Sequence, residues 1–409
     1  MYIEDVAEWP TQAQLRLLRA HLPYSLPVLR RLQVAAGAFD GINPAGTTGN
    51  GTSSYAHVLF AYDSNERPSG VDGDHVPFAA AFLEPHKAPE TAAWIYASDQ
   101  DQALPPVRAE DLYAADNDRP DNWVVDRGAE LVAAWSPERR ARCRRLVLAL
   151  LRRTRAIAQA LAPVLAAQLP ARFGIPSNAA AFVRNVKVNI HDGIRYVLLH
   201  PGPPEADADR TAVALSYYDA YDKWLFRFED VPVLSHPEDT EYETGLPDKE
   251  DGQGQPSLVW DSVRTRDDAA LVISRTAIPR TEETLLSVPS VALREKSTAP
   301  GKEGTLQAWA FVGVDGSLWT LHTEPAYRGR GLAKTLAARM FRQYCGVFDA
   351  IVDDGKANNE SSGEGDGWCA ADVSASNRQS QGVCKRLGAK RTWATAWIVV
   401  TYDSLGDDE

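Results

Sequence analysis

The 409-residue sequence predicts an α/β (α+β) chain of two units, each a mixed, mostly antiparallel sheet flanked by helices. Three observations carry this. Two short helical stretches and three strand-like runs fill the region before residue 100. A strand, a glycine- and arginine-rich turn and an amphipathic helix occupy 318–341. Strands and helices then alternate to residue 401.

In order, residues 8–36 carry the two helical stretches, and 44–54 reads as a Gly/Thr/Ser loop. Segments 56–62, 77–83 and 92–97 are apolar runs separated by turn residues, hence successive strands. Ser136-Pro137 opens a long helix to 168, a good N-cap followed by proline at the first helical position. Eight arginines between 139 and 155 are spread around that helix, which fits a solvated, ion-paired face rather than an RNA-binding stripe. Strands are expected at 195–200 and 211–218. The aromatic residues Tyr217, Tyr218, Tyr221, Trp224, Phe226 and Phe228 are expected in core or interdomain packing. Residues 236–256, with seven acids, one lysine, three glycines and three prolines, read as a linker or mobile loop.

In the second unit, 306–312 and 316–323 form a hairpin across Val314-Asp315-Gly316. Leu332, Leu336, Met340 and Tyr344 recur every four residues and mark one apolar helix face. The turn Arg328-Gly329-Arg330-Gly331-Leu332-Ala333 therefore lies at a helix N-terminus, where unpaired N–H groups and the helix dipole attract anions. This predicts a pyrophosphate cradle. A Rossmann turn needs a small residue where Lys334 stands, and a Walker loop needs Gly-Lys-Ser/Thr, so neither fits. A polar insert at 354–367, expected to be disordered, precedes a strand at 368–373. Asn377 opens a short helix through Leu387, Gly388 stops it, and 391–401 is a last strand.

The pattern Arg328-x-x-Gly331-x-Ala333, after a strand and Pro325, resembles the acyl-CoA loop of GNAT-fold acyltransferases. Asn377-x-x-Ser380 with Lys385-Arg386-Leu387-Gly388 resembles that fold's second signature, the helix beside the pantetheine arm. Within the superfamily, Trp309, Gly316, Thr323, Pro325, Tyr327-Arg328-Gly329 and Gly331-Leu332 are similar to the glycine N-acyltransferase-like branch. Leu22-Pro23-Tyr24-Ser25 with Val28 resembles the start of its N-terminal half. The resemblance implies tandem GNAT-like domains: a degenerate one at 1–235, a linker at 236–257, and a catalytic one at 258–409 that binds acyl-CoA. It implies direct transfer of an acetyl or longer acyl group from acetyl-CoA or another acyl-CoA to the amine of a small molecule. Backbone at Leu321 and Thr323 would pair with the pantetheine. Arg328, Gly329, Arg330, Gly331, Leu332, Ala333, Lys334, Asn377 and Ser380 would hold the rest of the cofactor.

Two departures matter. The branch has a glutamate base where this chain has Ser317, and many GNAT enzymes have a tyrosine acid where this chain has Cys384. Glu324, His322, Asp315 or a held water are the candidate bases, and Cys384 is the candidate acid for the leaving thiolate. The same departures leave open a non-catalytic CoA-binding protein, or a GNAT-fold enzyme with another reaction on a thioester or carbonyl compound.

A net charge of −12 argues against nucleic acid and anionic membranes as main partners. No apolar run reaches the roughly 18–20 residues that span a bilayer. The acidic start MYIEDVAEWP resembles no signal or transit peptide, so a cytoplasmic enzyme is expected. Cys143, Cys345, Cys369 and Cys384 lack metal spacing, as do His191, Asp192 and His200, and no metal is expected. Acceptor identity, acyl length and oligomeric state are not written in the motifs.

Overall fold

A computed structural model describes residues 1–7, 9–40, 42, 55–66, 68, 76–87, 90–102, 127–168, 182–205, 209–233, 241–242, 257–297, 303–351 and 366–406. The expected 44–54 loop, nearly all of the 236–256 linker and nearly all of the 354–367 insert lie outside them.

The chain opens with strand β1 (Tyr2–Ala7), then helices α1 (Gln12–Ala20) and α2 (Leu26–Ala35). Thr11 and Gln14 form a reciprocal capping box at the first helix. Strands β2 (His57–Tyr62), β3 (Phe78–Leu83) and β4 (Ala93–Ala97) follow as an antiparallel meander. Short helix α3 (Arg127–Leu131) leads to α4 (Pro137–Gln168), which begins at the expected proline. Next come β5 (Asn185–His191), helix α5 (Asp192–Leu199) and the long strand β6 (Leu215–Arg227).

Four expectations need correction here. Residues 195–200 are helical, not a strand: His191 caps the helix by accepting from the Gly193 amide, and Ile194, Val197 and Leu198 share its buried face. The strand expected at 211–218 begins at 215 and runs on through the aromatic residues. Trp224 and Phe226 are core, but Tyr217 and Tyr218 are over 40% exposed. The arginines of α4 tie it to its neighbours and are not simply solvated. Arg144 is buried and donates to the carbonyls of Asp209 and Thr211, Arg142 pairs with Asp99, and Arg153 pairs with Asp5.

The second half has β7 (Glu241–Tyr242), β8 (Leu258–Asp261), α6 (Arg266–Ser274), α7 (Glu282–Leu286) and β9 (Ser290–Glu295). Strands β10 (Leu306–Val312) and β11 (Ser317–Thr323) then form the expected hairpin. Helix α8 (Leu332–Tyr344), β12 (Trp368–Ser374), α9 (Arg378–Arg386) and β13 (Lys390–Thr401) complete the chain.

The thirteen strands among the described residues join one sheet in the order β1-β2-β3-β4-β5-β13-β6-β12-β11-β10-β9-β8-β7. Each half thus has one parallel pair, β4 with β5 and β11 with β12, amid antiparallel neighbours. The halves trade their last strands. The C-terminal strand β13 pairs with β5, and β6 pairs with β12. The two traded strands also pair with each other from Leu215 to Leu225. A second tie lies at the base of β11 and β12, where buried Arg30 from α2 grips both Asp366 oxygens at 2.5 and 2.7 Å and the Trp368 carbonyl at 3.0 Å. Gly316 lies against the Arg30 stem, where a Cβ would come within 2.6 Å of Cγ.

Candidate active site

Pairing between β11 and β12 covers only Ser317 with Ala370 and Leu318 with Ala371, although both strands continue. Beyond Leu318 the sheet opens as a wedge. On its other side β11 carries a bulge. Trp309 faces His322 and Phe311 faces Trp319, so Ala310 stands opposite two residues. Thr320, inside the bulge, has φ of +48°, a conformation unfavourable for a β-branched residue. The bulge leaves Thr320 and Leu321 without register partners on β10 at the point where the wedge opens.

At the wide end of the wedge, Pro325–Tyr327 makes one helical turn and leads into the Arg/Gly loop. Gly329 and Gly331 have φ of +78° and +83°, and a Cβ on either would meet nothing within 4 Å. Backbone, not packing, demands glycine here, and the space beside it is open. Gly331 caps α8, so the N–H groups of Leu332, Ala333 and Lys334 form its first turn, where no intrahelical acceptor exists. Arg328 and Gly329 are exposed, and Arg328 Nε donates to the Thr323 carbonyl at 2.9 Å. Arg330 lies over the Tyr327 ring. Asn377 caps α9 by accepting from the Ser380 amide at 3.0 Å, which uses that amide internally.

Side-chain alternation sorts the candidate groups by face. Trp224 and Phe226 of β6 point to the α8 side, where Phe226 meets Phe341. Lys223 and Leu225 point the other way, as do their partners Asp372 and Ala370, and Ser317 opposite Ala370. This second face meets the loop between α6 and α7: the Arg280 guanidinium stacks on Trp319 at 4.5 Å. A cleft opens there between the halves, lined by Glu84, Glu90 and Trp94 from the first and Arg280, Asp315 and Trp319 from the second, with Trp397 of β13 as floor.

The candidate bases have distinct settings. His322 stacks on Trp309 (4.6 Å, 19° between planes), and burial pushes its imidazole below the ordinary value, so it is neutral at pH 7. Its Nε2 lies 3.8 Å from Glu324 Oε1, which is itself held by Arg275 Nε at 2.7 Å. Asp315 accepts from the Ser317 hydroxyl at 2.6 Å and the Ser317 amide at 3.2 Å, so it caps the hairpin turn as well as lining the cleft. Cys384 is 1% exposed within the core under α8, and burial pushes its thiol up to about 12. A group that holds its proton so firmly is a poor donor to a leaving thiolate.

Sequence reasoning passed over three groups: Arg280, Lys223 and Asp372. Lys223 and Asp372 pair at 2.6 Å, both largely buried, in the part of β12 that β11 has left. Arg280 Nε is buried without a hydrogen-bond partner among the described residues, and burial lowers the guanidinium's pKa. A lone acid in the apolar run 368–373 was the available signal for Asp372. Among the described residues no group of His, Cys, Asp and Glu is arranged to hold a metal, and no helix is long and apolar enough to cross a membrane.

The family of the acyl-CoA N-acyltransferase verG N-terminal domain matches residues 2–216, more than half of the chain. The chain belongs to that family. The match covers the half without the Arg/Gly loop, so the loop and wedge in the second half are independent signs of the same GNAT-fold superfamily. Among solved structures, a Drosophila protein is 14% identical, with 97% of this chain and 99% of that one covered at a TM-score of 0.45. A tandem GNAT protein from the clavulanic acid biosynthesis pathway is 11% identical over 100% of both chains, at a TM-score of 0.37. A putative GNAT-family acetyltransferase from Novosphingobium aromaticivorans is 16% identical over 46% of this chain and 67% of that one, at a TM-score of 0.27. Comparison with curated proteins gives no match. From its topology, the acyltransferase chain is a tandem GNAT fold with an open wedge in its second half.

Proposed function

We propose that this family member is a cytoplasmic acyl-CoA-dependent N-acyltransferase that moves an acetyl or longer acyl group directly onto the amine of a small molecule. One observation carries the reading: the bulged, splayed β11 and the left-handed glycine loop lie end to end. The wedge offers free strand backbone to a pantetheine arm, and the loop offers helix amides and arginines to its pyrophosphate. The thioester then lies near Leu321, where the bulge leaves backbone without a register partner beside the wedge. The acceptor enters from the opposite face, through the cleft that holds Glu90, Arg280 and Trp319. Such a cleft admits a small molecule more readily than a folded protein.

Catalysis needs a neutral amine placed against the thioester carbon. The amine attacks, the carbon–sulfur bond breaks, and the CoA thiolate takes up a proton. No side chain becomes acylated on this route. Ser317 in place of the branch's glutamate favours a second reading, a protein that binds CoA without turnover.

Thiol release from acetyl-CoA and from hexanoyl-CoA, measured with glycine, glutamine and 2-phenylethylamine, tests the proposal. Amine-dependent release with formation of the N-acyl product is expected. Tight CoA binding with no amine-dependent release across the panel favours the second reading.

A further inference from the structure

We propose that Asp372, held by Lys223, is the base that takes the proton from the acceptor's ammonium group. The inference rests on the acyl-transfer reading above.

The register supplies the geometry. Ser317 stands where the related branch places its glutamate, and it faces Ala370 across the base of the wedge. Asp372 is the next residue of β12 on that same face, about 7 Å further along. At that level β11 has already pulled away, so Asp372 has Lys223 on one side and the wedge on the other. Asp372 thus lies one strand over from the vacated position, on the face of the sheet that carries the cleft.

Its surroundings suit a base. Lys223 Nζ lies 2.8 Å from Oδ2, and the two side chains are 1% and 7% exposed. Burial raises the carboxyl, Lys223 lowers it, Asp315 from the hairpin turn raises it, and the balance is about 6. The other titratable neighbours are Tyr221 on β6 and Cys384 on α9, both pushed up and neutral at pH 7. Asp372 is therefore ionised at neutral pH, yet close enough to neutrality to hold a proton in passing. By contrast, Glu324 is engaged by Arg275, and His322 is pinned on Trp309 at the outer end of β11.

The step balances without a further reactant. An ammonium N–H proton passes to Asp372, and the freed nitrogen lone pair attacks the thioester carbon. As the adduct collapses the carbon–sulfur bond breaks, the thiolate takes the second nitrogen proton, and Asp372 returns its proton to solvent.

The test compares wild type, Asp372→Asn and the double variant Asp372→Asn/Lys223→Met, using acetyl-CoA and whichever of glycine, glutamine and 2-phenylethylamine the wild type acetylates fastest. The double variant removes both charges together, so no buried lysine is left unpaired. At pH 7 both variants should lose roughly 100-fold or more in kcat with acetyl-CoA affinity retained. The wild-type acid limb near pH 6 should vanish, and the variants should recover as pH rises and free amine accumulates. Folded variants that keep the wild-type rate and acid limb overturn this role alone. A wild type that acetylates none of the three amines overturns it together with the activity on which it rests.

Discussion

At Gly331 the backbone has φ of +83° at the cap of α8, with open space where a side chain would project. Replacement there costs backbone strain and puts a group where a pyrophosphate would lie. Gly331→Asp adds a negative charge as well, and Arg328→Ala removes a positive one. Each should weaken CoA binding about 10- to 150-fold, or about 1.5–3 kcal/mol. Calorimetry on the folded variants reads this directly, and unchanged affinity in both would remove the cradle. Another single residue sets a pH dependence. His191 is fully buried, accepts from the Gly193 amide, and is held down to about 3 by burial. Its folded value lies below the unfolded 6.5, so the unfolded chain binds the extra proton, and stability falls as pH drops from 6.5 toward 3. At pH 5 the deficit is about 2 kcal/mol. His191→Gln should flatten the melting temperature between pH 6.5 and 5, and an unchanged slope would show that His191 does not set it. The cradle residues were legible because their spacing is local. Asp372 was not, because its meaning depends on where a neighbouring strand ends its pairing.

Elements with strong local signals came through well. The helices at 12–20 and 26–35, the meander and the proline-started helix all stand where composition and capping place them. The run around 195–200 was misread because RYVLLH is as apolar as a strand, and the decisive cue was the histidine cap before it. Least legible was the exchange of β6 and β13, since pairing between segments far apart leaves no periodic trace in either. The exchange has a testable consequence. A fragment of residues 258–409 leaves β12 without β6 and β13 without both its neighbours. It should aggregate, whereas co-expression with 1–235 should give a soluble complex. A monomeric, soluble 258–409 fragment would argue that the traded strands are dispensable.

Across the whole molecule the two halves share a plan, and the proposed cofactor site lies in the second. In the first half β4 and β5 are paired at three positions, and the N-terminus of α4 is occupied by Pro137, with Glu138 in its first turn. The Ser136 hydroxyl accepts the Arg139 amide there at 3.3 Å. The proline and the serine cap leave that turn fewer free amides to offer a pyrophosphate. Titration should therefore give one CoA per chain, and a second equivalent bound by the first half would contradict this account. Strand exchange also constrains how such a chain emerges from a ribosome. The slot beside β5 stays empty until β13 has been made, roughly 200 residues later, which at common rates of synthesis is about 10–40 s. Until then the strand that carries Val186, Val188 and Ile190 is an unfinished sheet edge, so a nascent chain halted before β13 should aggregate unless chaperones shield it.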